Sequence, residues 1–272
     1  MDDFLMEMAS SSRARAAEIR TVYKSSDFDL PVVPLVLDKF DLIAEIKERS
    51  PAAGLLESGT ISRSVRARQY VAGGAAAISV LTEPAKFDGA LSHLREVVGA
   101  VSAVPVPVMR KDFLVSQRQI EETRAAGASA VLLIAAMLSD QALRTMLDCA
   151  FEHSLVVLLE SFDERDLART ETLLQSNRYS ERAAKSQLLC GVNSRNLRTL
   201  AVEPQRFEAL ASRLPGGISC VAESGLSNIE DAATIAALGY RMALVGTALM
   251  QASDPATLIR QMLLAGRARV AA

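Results

Sequence analysis

The chain has 272 residues, 50% hydrophobic and 23% charged, which is enough apolar material for one large barrel or two small domains. Its 30 basic residues nearly balance 32 acidic ones, so no global field draws it to nucleic acid or an anionic membrane, and an anionic ligand must be held by a local site. Three scattered cysteines, Cys149, Cys190 and Cys220, argue against a disulfide framework, and His93 and His153 sit far from any cluster at ligand spacing, so no metal is expected.

The N-terminus is acidic at its tip and lacks a long apolar core, so it does not read as a signal peptide. No run elsewhere approaches the ~20 apolar residues of a membrane span, and cytoplasm is the expected location. Residues 4–23 are amphipathic and Pro31 to Pro34 form a link. Residues 1–40 therefore read as a helical extension folded against the rest, with a mobile tail as the alternative.

Beyond residue 41, short aliphatic runs alternate with amphipathic segments. Strands are expected at 42–47, 76–81, 106–111, 130–135, 156–160, 188–193, 219–223 and 242–246. Helices are expected at 62–72, 90–101, 116–126, 139–152, 163–174, 204–213, 227–238 and 254–265, with caps at Ser62, Ser116, Ser139, Asp163, Ser227 and Asp254. Gly127 and Gly239 each stand between a helix and the next strand, where a helix C-cap is needed. Strands that are apolar throughout belong to a parallel sheet covered on both faces, and eight such units closing on themselves make an α/β fold, a (β/α)8 TIM barrel. A doubly wound open sheet is the rival, but no G-x-G-x-x-G follows the first strand. No linker or composition break divides the chain, so residues 1–272 are expected to form a single barrel domain with 1–40 as its N-terminal extension. The length leaves no room for a fused second barrel.

In such barrels the chemistry sits where the strands end. The first strand ends with Glu45 and Lys47, two apart and so on one side. The third ends Arg110-Lys111-Asp112 and the fifth ends with Glu160 after four aliphatic residues. The sixth ends with Asn193 and Arg195, and the seventh with Glu223 and Ser224. So many charges converging on one mouth imply a pocket, because they are costly to bury unless paired or bound to substrate. Each has a plainer reading: Lys111 as a solvated strand end, Glu45 and Lys47 as a structural ion pair, Asp112, Asp163 and Glu164 as caps or solvated acids, Met109 and Phe113 as core. Ser224-Gly225 and Gly246-Thr247 supply small residues and free backbone N–H groups where barrels bind phosphate, and with Lys47 and Ser50 across the mouth they point to a phosphate site.

Together, "IAEIKERSP" (43–51), "ISVLTEPAKFDG" (78–89), "PVMRKDF" (107–113), "AGASAVLLI" (126–134), "LLES" (158–161), "GVNSRNL" (191–197), "VAESGLS" (221–227) and "ALVGTALM" (243–250) resemble, in order and spacing, the indole-3-glycerol phosphate synthase family. The resemblance spans essentially the whole chain. It implies a lyase of tryptophan biosynthesis that needs no cofactor and no metal. The enzyme would take a phosphorylated small-molecule substrate, 1-(2-carboxyphenylamino)-1-deoxyribulose 5-phosphate, to indole-3-glycerol phosphate. By the same resemblance Lys111 is the general acid, Glu45 its partner, Lys47 a contact to anionic groups and a second candidate acid, and Glu160 the base. Asn193, Arg195, Glu223 and Ser224 orient the substrate, Ser50, Gly225, Gly246 and Thr247 cradle its phosphate, and Phe113 holds its aromatic ring. The alternatives are a paralogue acting on a substituted anthranilate, a Schiff-base enzyme using Lys111 as nucleophile, and a non-catalytic phosphate-sugar binding barrel. A phosphoribosyl isomerase is disfavoured by the lack of a Cys–Asp pair at the ends of the first and fifth strands.

Overall fold

A computed structural model describes residues 3–50, 54–55, 61–196 and 200–270, without the side chains of Asp3, Ser50 and Leu55. Eight parallel strands, β1 (Asp41–Ile46), β2 (Ala77–Leu81), β3 (Val108–Lys111), β4 (Ala130–Ile134), β5 (Val156–Ser161), β6 (Leu188–Asn193), β7 (Ser219–Glu223) and β8 (Met242–Val245), pair in chain order and close β8 onto β1. The expected (β/α)8 barrel is thus the observed one. β3 begins two residues later than expected, after Pro107, which has no N–H to give to the ladder. Lys47 falls just beyond the end of β1 rather than inside it.

Outside β4 and β5, whose apolar residues all belong to one cluster, the strands alternate between two cores. Ile43, Met109, Leu132, Leu158, Leu189, Val221 and Leu244 belong to one apolar cluster. Their neighbours Leu42, Ala44, Val108, Cys190, Cys220, Ala243 and Val245 belong to a second, shared with helix residues such as Tyr70, Leu94, Phe207 and Ile259. A period of two sends one set into the barrel and the other out to the helical coat. The coat comprises α1 (Asp3–Glu18), α2 (Arg63–Gly73), α3 (Pro84–Phe87), α4 (Leu91–Val101), α5 (Gln117–Ala125), α6 (Asp140–Glu152), α7 (Glu164–Leu174), α8 (Asn177–Ala184), α9 (Gln205–Ala211), α10 (Ile229–Ala237), α11 (Thr247–Gln251) and α12 (Pro255–Val270).

Local rules account for most of their ends. Ser62, Ser139 and Asp163 each accept a bond from a backbone N–H in the first turn of the helix that follows, and Asp254 does the same for α12. Gly127 and Gly239 lie just past α5 and α10 at φ 84° and 94°, where a side chain would be strained. At α10 the cap is Asn228 rather than Ser227: its side chain accepts from Asp231 N–H, and the Asp231 carboxylate in turn accepts from Asn228 N–H. The short helices α3, α8 and α11 were not foreseen, and α9 is shorter than the expected 204–213.

The same alternation explains three consecutive charges at the end of β3. Lys111 turns inward, while Arg110 and Asp112 face out beneath α1 and α5. Asp112 is therefore not the solvated acid or cap expected from sequence. At 2% exposure it receives both arms of the Arg15 guanidinium from α1, at 2.9 and 2.8 Å, together with Thr82 Oγ1 at 2.7 Å and Arg110 Nη2 at 3.2 Å. Burial alone would raise its pKa, but the Arg15 hydrogen bond and the two guanidinium charges hold it below the ordinary carboxyl value of 3.8. A depressed pKa contributes stability above the unfolded value and loses it as pH falls through the folded one. Asp112→Ala is expected to cost about 3 kcal/mol, because half-buried Arg15 loses its carboxylate and buried Arg110 is left with Glu122 alone. Its Tm should also fall less than the parent's on acidification from about pH 5 to about pH 3. Thermal melts at the two pH values check both expectations, and a parent-like Tm and acid limb would show that the network adds no net stability.

Candidate active site

The inward residues at the carboxyl ends of the strands converge on a cavity of about 550 Å³. Glu45, Lys47, Lys111, Phe113, Glu160, Asn193, Arg195, Glu223, Ser224, Gly225, Gly246 and Thr247 all line it. The side chain of Ser50 lies outside the described residues, so its expected contact with phosphate is not addressed.

Glu45 is the electrostatic centre of one wall. Its Oε1 accepts from Lys47 Nζ at 2.7 Å, and its Oε2 stands 3.7 Å from Lys111 Nζ. Burial would raise the Glu45 pKa, yet the ammonium groups of Lys47 and Lys111 bring it below the usual carboxyl value. Burial would likewise lower Lys111, but the carboxyls of Glu45, Glu160 and Glu223 raise it above the ordinary lysine value. Lys111 is thus held as an ammonium aimed into the cavity, with 18% of its side chain exposed there. This state suits an acid and opposes a Schiff-base nucleophile, which must be neutral to attack. Gly246 lets the arrangement exist: a Cβ on it would overlap Glu45 Oε1 and stand 2.9 Å from Lys47 Nζ.

The opposite wall is built from β5, β6 and β7. Glu160, at 2% exposure, follows the aliphatic run Val156-Val157-Leu158-Leu159. Asn193 Oδ1 accepts the Arg195 backbone N–H at 2.9 Å, and the Arg195 guanidinium donates to Leu200 O at 2.8 Å. Burial lowers the Arg195 pKa, although Glu45 and Glu160 favour its charge. Ser194 Oγ donates to Ser224 O at 3.0 Å and ties the β6 and β7 loops together. Ser224 and Gly225 are both left-handed, at φ 69° and 78°, so the chain turns sharply where it meets the cavity.

Sequence reasoning missed two aromatic members of the site. Phe4 from α1 packs edge-on to Phe113 with ring centroids 5.9 Å apart, and Phe87 from α3 stands 6.2 Å from the same ring. All three line the cavity, with Leu81, Leu132, Ile134 and Leu244 extending the apolar surface. The amphipathic stretch beginning at residue 4 and the Phe of "TEPAKFDG" were the available signals. Among the described residues there is no group of three or more His, Cys, Asp or Glu side chains suited to a metal ion, and no helix is long and apolar enough to cross a membrane.

Charged groups on facing walls, an aromatic cluster and the small residues Gly225, Gly246 and Thr247 in the lining suit an aromatic, anionic, phosphorylated ligand. The family model described as Indole-3-glycerol phosphate synthase matches residues 24–262. A relative of that description from a Nocardioides species is 45% identical over 222 residues, 81% of this chain and 79% of its own. Another, from Listeria welshimeri, is 37% identical over 251 residues, 92% and 91% of the two chains. Among solved structures, the 3-hexulose-6-phosphate synthase of Salmonella typhimurium superposes with a TM-score of 0.63 at 15% identity, covering 85% of this chain and 100% of that one. At that identity the likeness shows the barrel alone.

Proposed function

Since the chain belongs to the indole-3-glycerol phosphate synthase family, we propose that Lys111 is the acid and Glu160 the base of its ring closure. The reaction is a carboxy-lyase step of tryptophan biosynthesis: 1-(2-carboxyphenylamino)-1-deoxyribulose 5-phosphate closes to indole-3-glycerol phosphate with loss of carbon dioxide and water. The ring carbon that bears the carboxylate attacks the ribulose ketone. This carbon is a weak nucleophile, so the ketone oxygen must gain a proton as the new bond forms. Lys111 supplies that proton, and the observation that carries the assignment is its ammonium held 3.7 Å from buried Glu45.

Loss of carbon dioxide then restores aromaticity, leaving a hydroxyl where the ketone was. Water leaves when that hydroxyl takes a proton from Lys111 or Lys47 and the five-membered ring gives one to Glu160. Leu132, Ile134 and Leu244 wall the cavity with apolar surface, where a carboxylate is poorly solvated and its departure is favoured. Phe4, Phe87 and Phe113 hold the aryl group. Gly225, Gly246 and Thr247, with Lys47, take the phosphate; Asn193, Arg195 and Ser224 orient the carboxylate and hydroxyls. We also read residues 1–272 as one domain of a cytoplasmic enzyme, on the strength of the balanced composition and the unbroken alternation of strand and helix.

The test is to mix the purified protein with the carboxyphenylamino-deoxyribulose phosphate and follow indole fluorescence. A rise that saturates with substrate is expected. Absence of any rise while the substrate still binds would remove the catalytic assignments and leave a binding barrel.

A further inference from the structure

Glu223 is 1% exposed, and neither of its carboxyl oxygens meets a hydrogen-bond donor among the described residues. A carboxylate stripped of both water and donors is strongly disfavoured. The group within hydrogen-bonding reach is a second buried carboxyl, that of Glu160. Two facing carboxyls settle this conflict by holding a proton between them, as neither can be ionised freely beside the other. Burial, and then Glu160, push the Glu223 pKa well above the ordinary carboxyl value, while Lys111 pulls the other way.

The backbone is shaped for this approach. Glu160 on β5 is in register with Gly191 on β6, and Glu223 on β7 is in register with Asn193, two residues further along. The Glu223 side chain leans back across β6 toward Glu160, and it passes through the space a side chain at 191 would fill. A Cβ on Gly191 would overlap Glu223 Oε1 and stand 3.2 Å from Leu158 Cδ1. The remaining charged groups around the pair are Lys111 from β3, Glu45 and Lys47 at the end of β1, and Arg195 after β6.

We propose that Glu160 and Glu223 form a proton-sharing pair seated by the notch at Gly191, with Glu223 and Gly191 as positioning residues that act through Glu160. The proposal rests on the reading of Glu160 as the base. Glu223 donates its proton to one Glu160 oxygen and so fixes the other toward the substrate. In dehydration the ring C–H or N–H bond breaks toward that free oxygen, the C–O bond breaks, and the hydroxyl leaves as water with a lysine proton. Glu160 then returns its newly gained proton to the lysine, and the pair is left with the proton it began with.

Glu223→Gln and Gly191→Ala test this, the first because an amide N–H replaces the shared O–H without being able to lose it. As pH rises the parent's Glu223 loses its proton and kcat falls; Glu223→Gln is expected to keep kcat within roughly tenfold of the parent and to lack that alkaline limb. Gly191→Ala should lower kcat by roughly 100-fold with KM little changed, because it displaces the Glu223 carboxyl. In a Glu223→Ala background the same change should cost less than about twofold, since nothing is left to displace. An alkaline limb in Glu223→Gln identical to the parent's would overturn the proposal, and so would an equal Gly191→Ala penalty in both backgrounds. Failure of the base assignment itself is separately visible, as a Glu160→Gln variant that turns over like the parent.

Discussion

Lys111→Met is expected to lower kcat by about 10²- to 10⁴-fold, the usual worth of a positioned general acid. Methionine keeps the length and apolar stem of the lysine and removes only the ammonium. Glu45 keeps its 2.7 Å contact with Lys47, so the wall has reason to stay in place and KM should change little. Carbon dioxide release should fall in step with indole formation, because without the proton the first carbon–carbon bond does not form. Steady-state assays of both products, with a separate titration of substrate binding, provide the check. Near-parent turnover would move the acid role to Lys47. Lys111→Arg should not rescue the reaction: a guanidinium restores the charge but gives up its proton poorly.

Glu160→Gln should cost about as much in indole formation, roughly 10²- to 10⁴-fold, but it should separate the two products. Condensation and decarboxylation need no base at this position, so carbon dioxide should still be released from enzyme and substrate. Dehydration should stall, and the hydroxylated ring-closed intermediate should accumulate without indole fluorescence. A single-turnover experiment following both signals decides the matter. If both signals slow equally, Glu160 acts before decarboxylation and its assignment to the dehydration is wrong.

The barrel was legible because its strands are aliphatic on both faces and recur between well-capped helices, a pattern with few other solutions. The site was legible for a related reason. Once Glu45, Lys111, Glu160, Asn193 and Glu223 are placed at strand ends on one parity, a closed barrel has a single mouth for them to reach. Asp112 was misread because the alternation was applied to the inward face and not to its neighbour, which is one step out of phase and buried against α1. Phe4 and Phe87 could not be placed, as they arrive from separate helices and no strand period governs them. The approach of Glu223 to Glu160 was hidden for another reason: it depends on the missing side chain at Gly191, and in the sequence that glycine is only one more small residue in an apolar strand. The displaced α10 cap, Asn228 for Ser227, reflects two adjacent residues that can each accept a first-turn N–H.

Because the end of β3 presents Lys111 to one side and Arg110 and the following Asp112 to the other, the two obligations of the polypeptide are written on interleaved positions of one stretch of chain. In this stretch the odd position, Lys111, carries reactivity and the even positions, Arg110 and Asp112, carry cohesion. This makes the inheritance of the barrel divisible: one parity can drift toward another reaction while the other continues to hold the helices in place, which is how a single outline can outlast the chemistry it hosts.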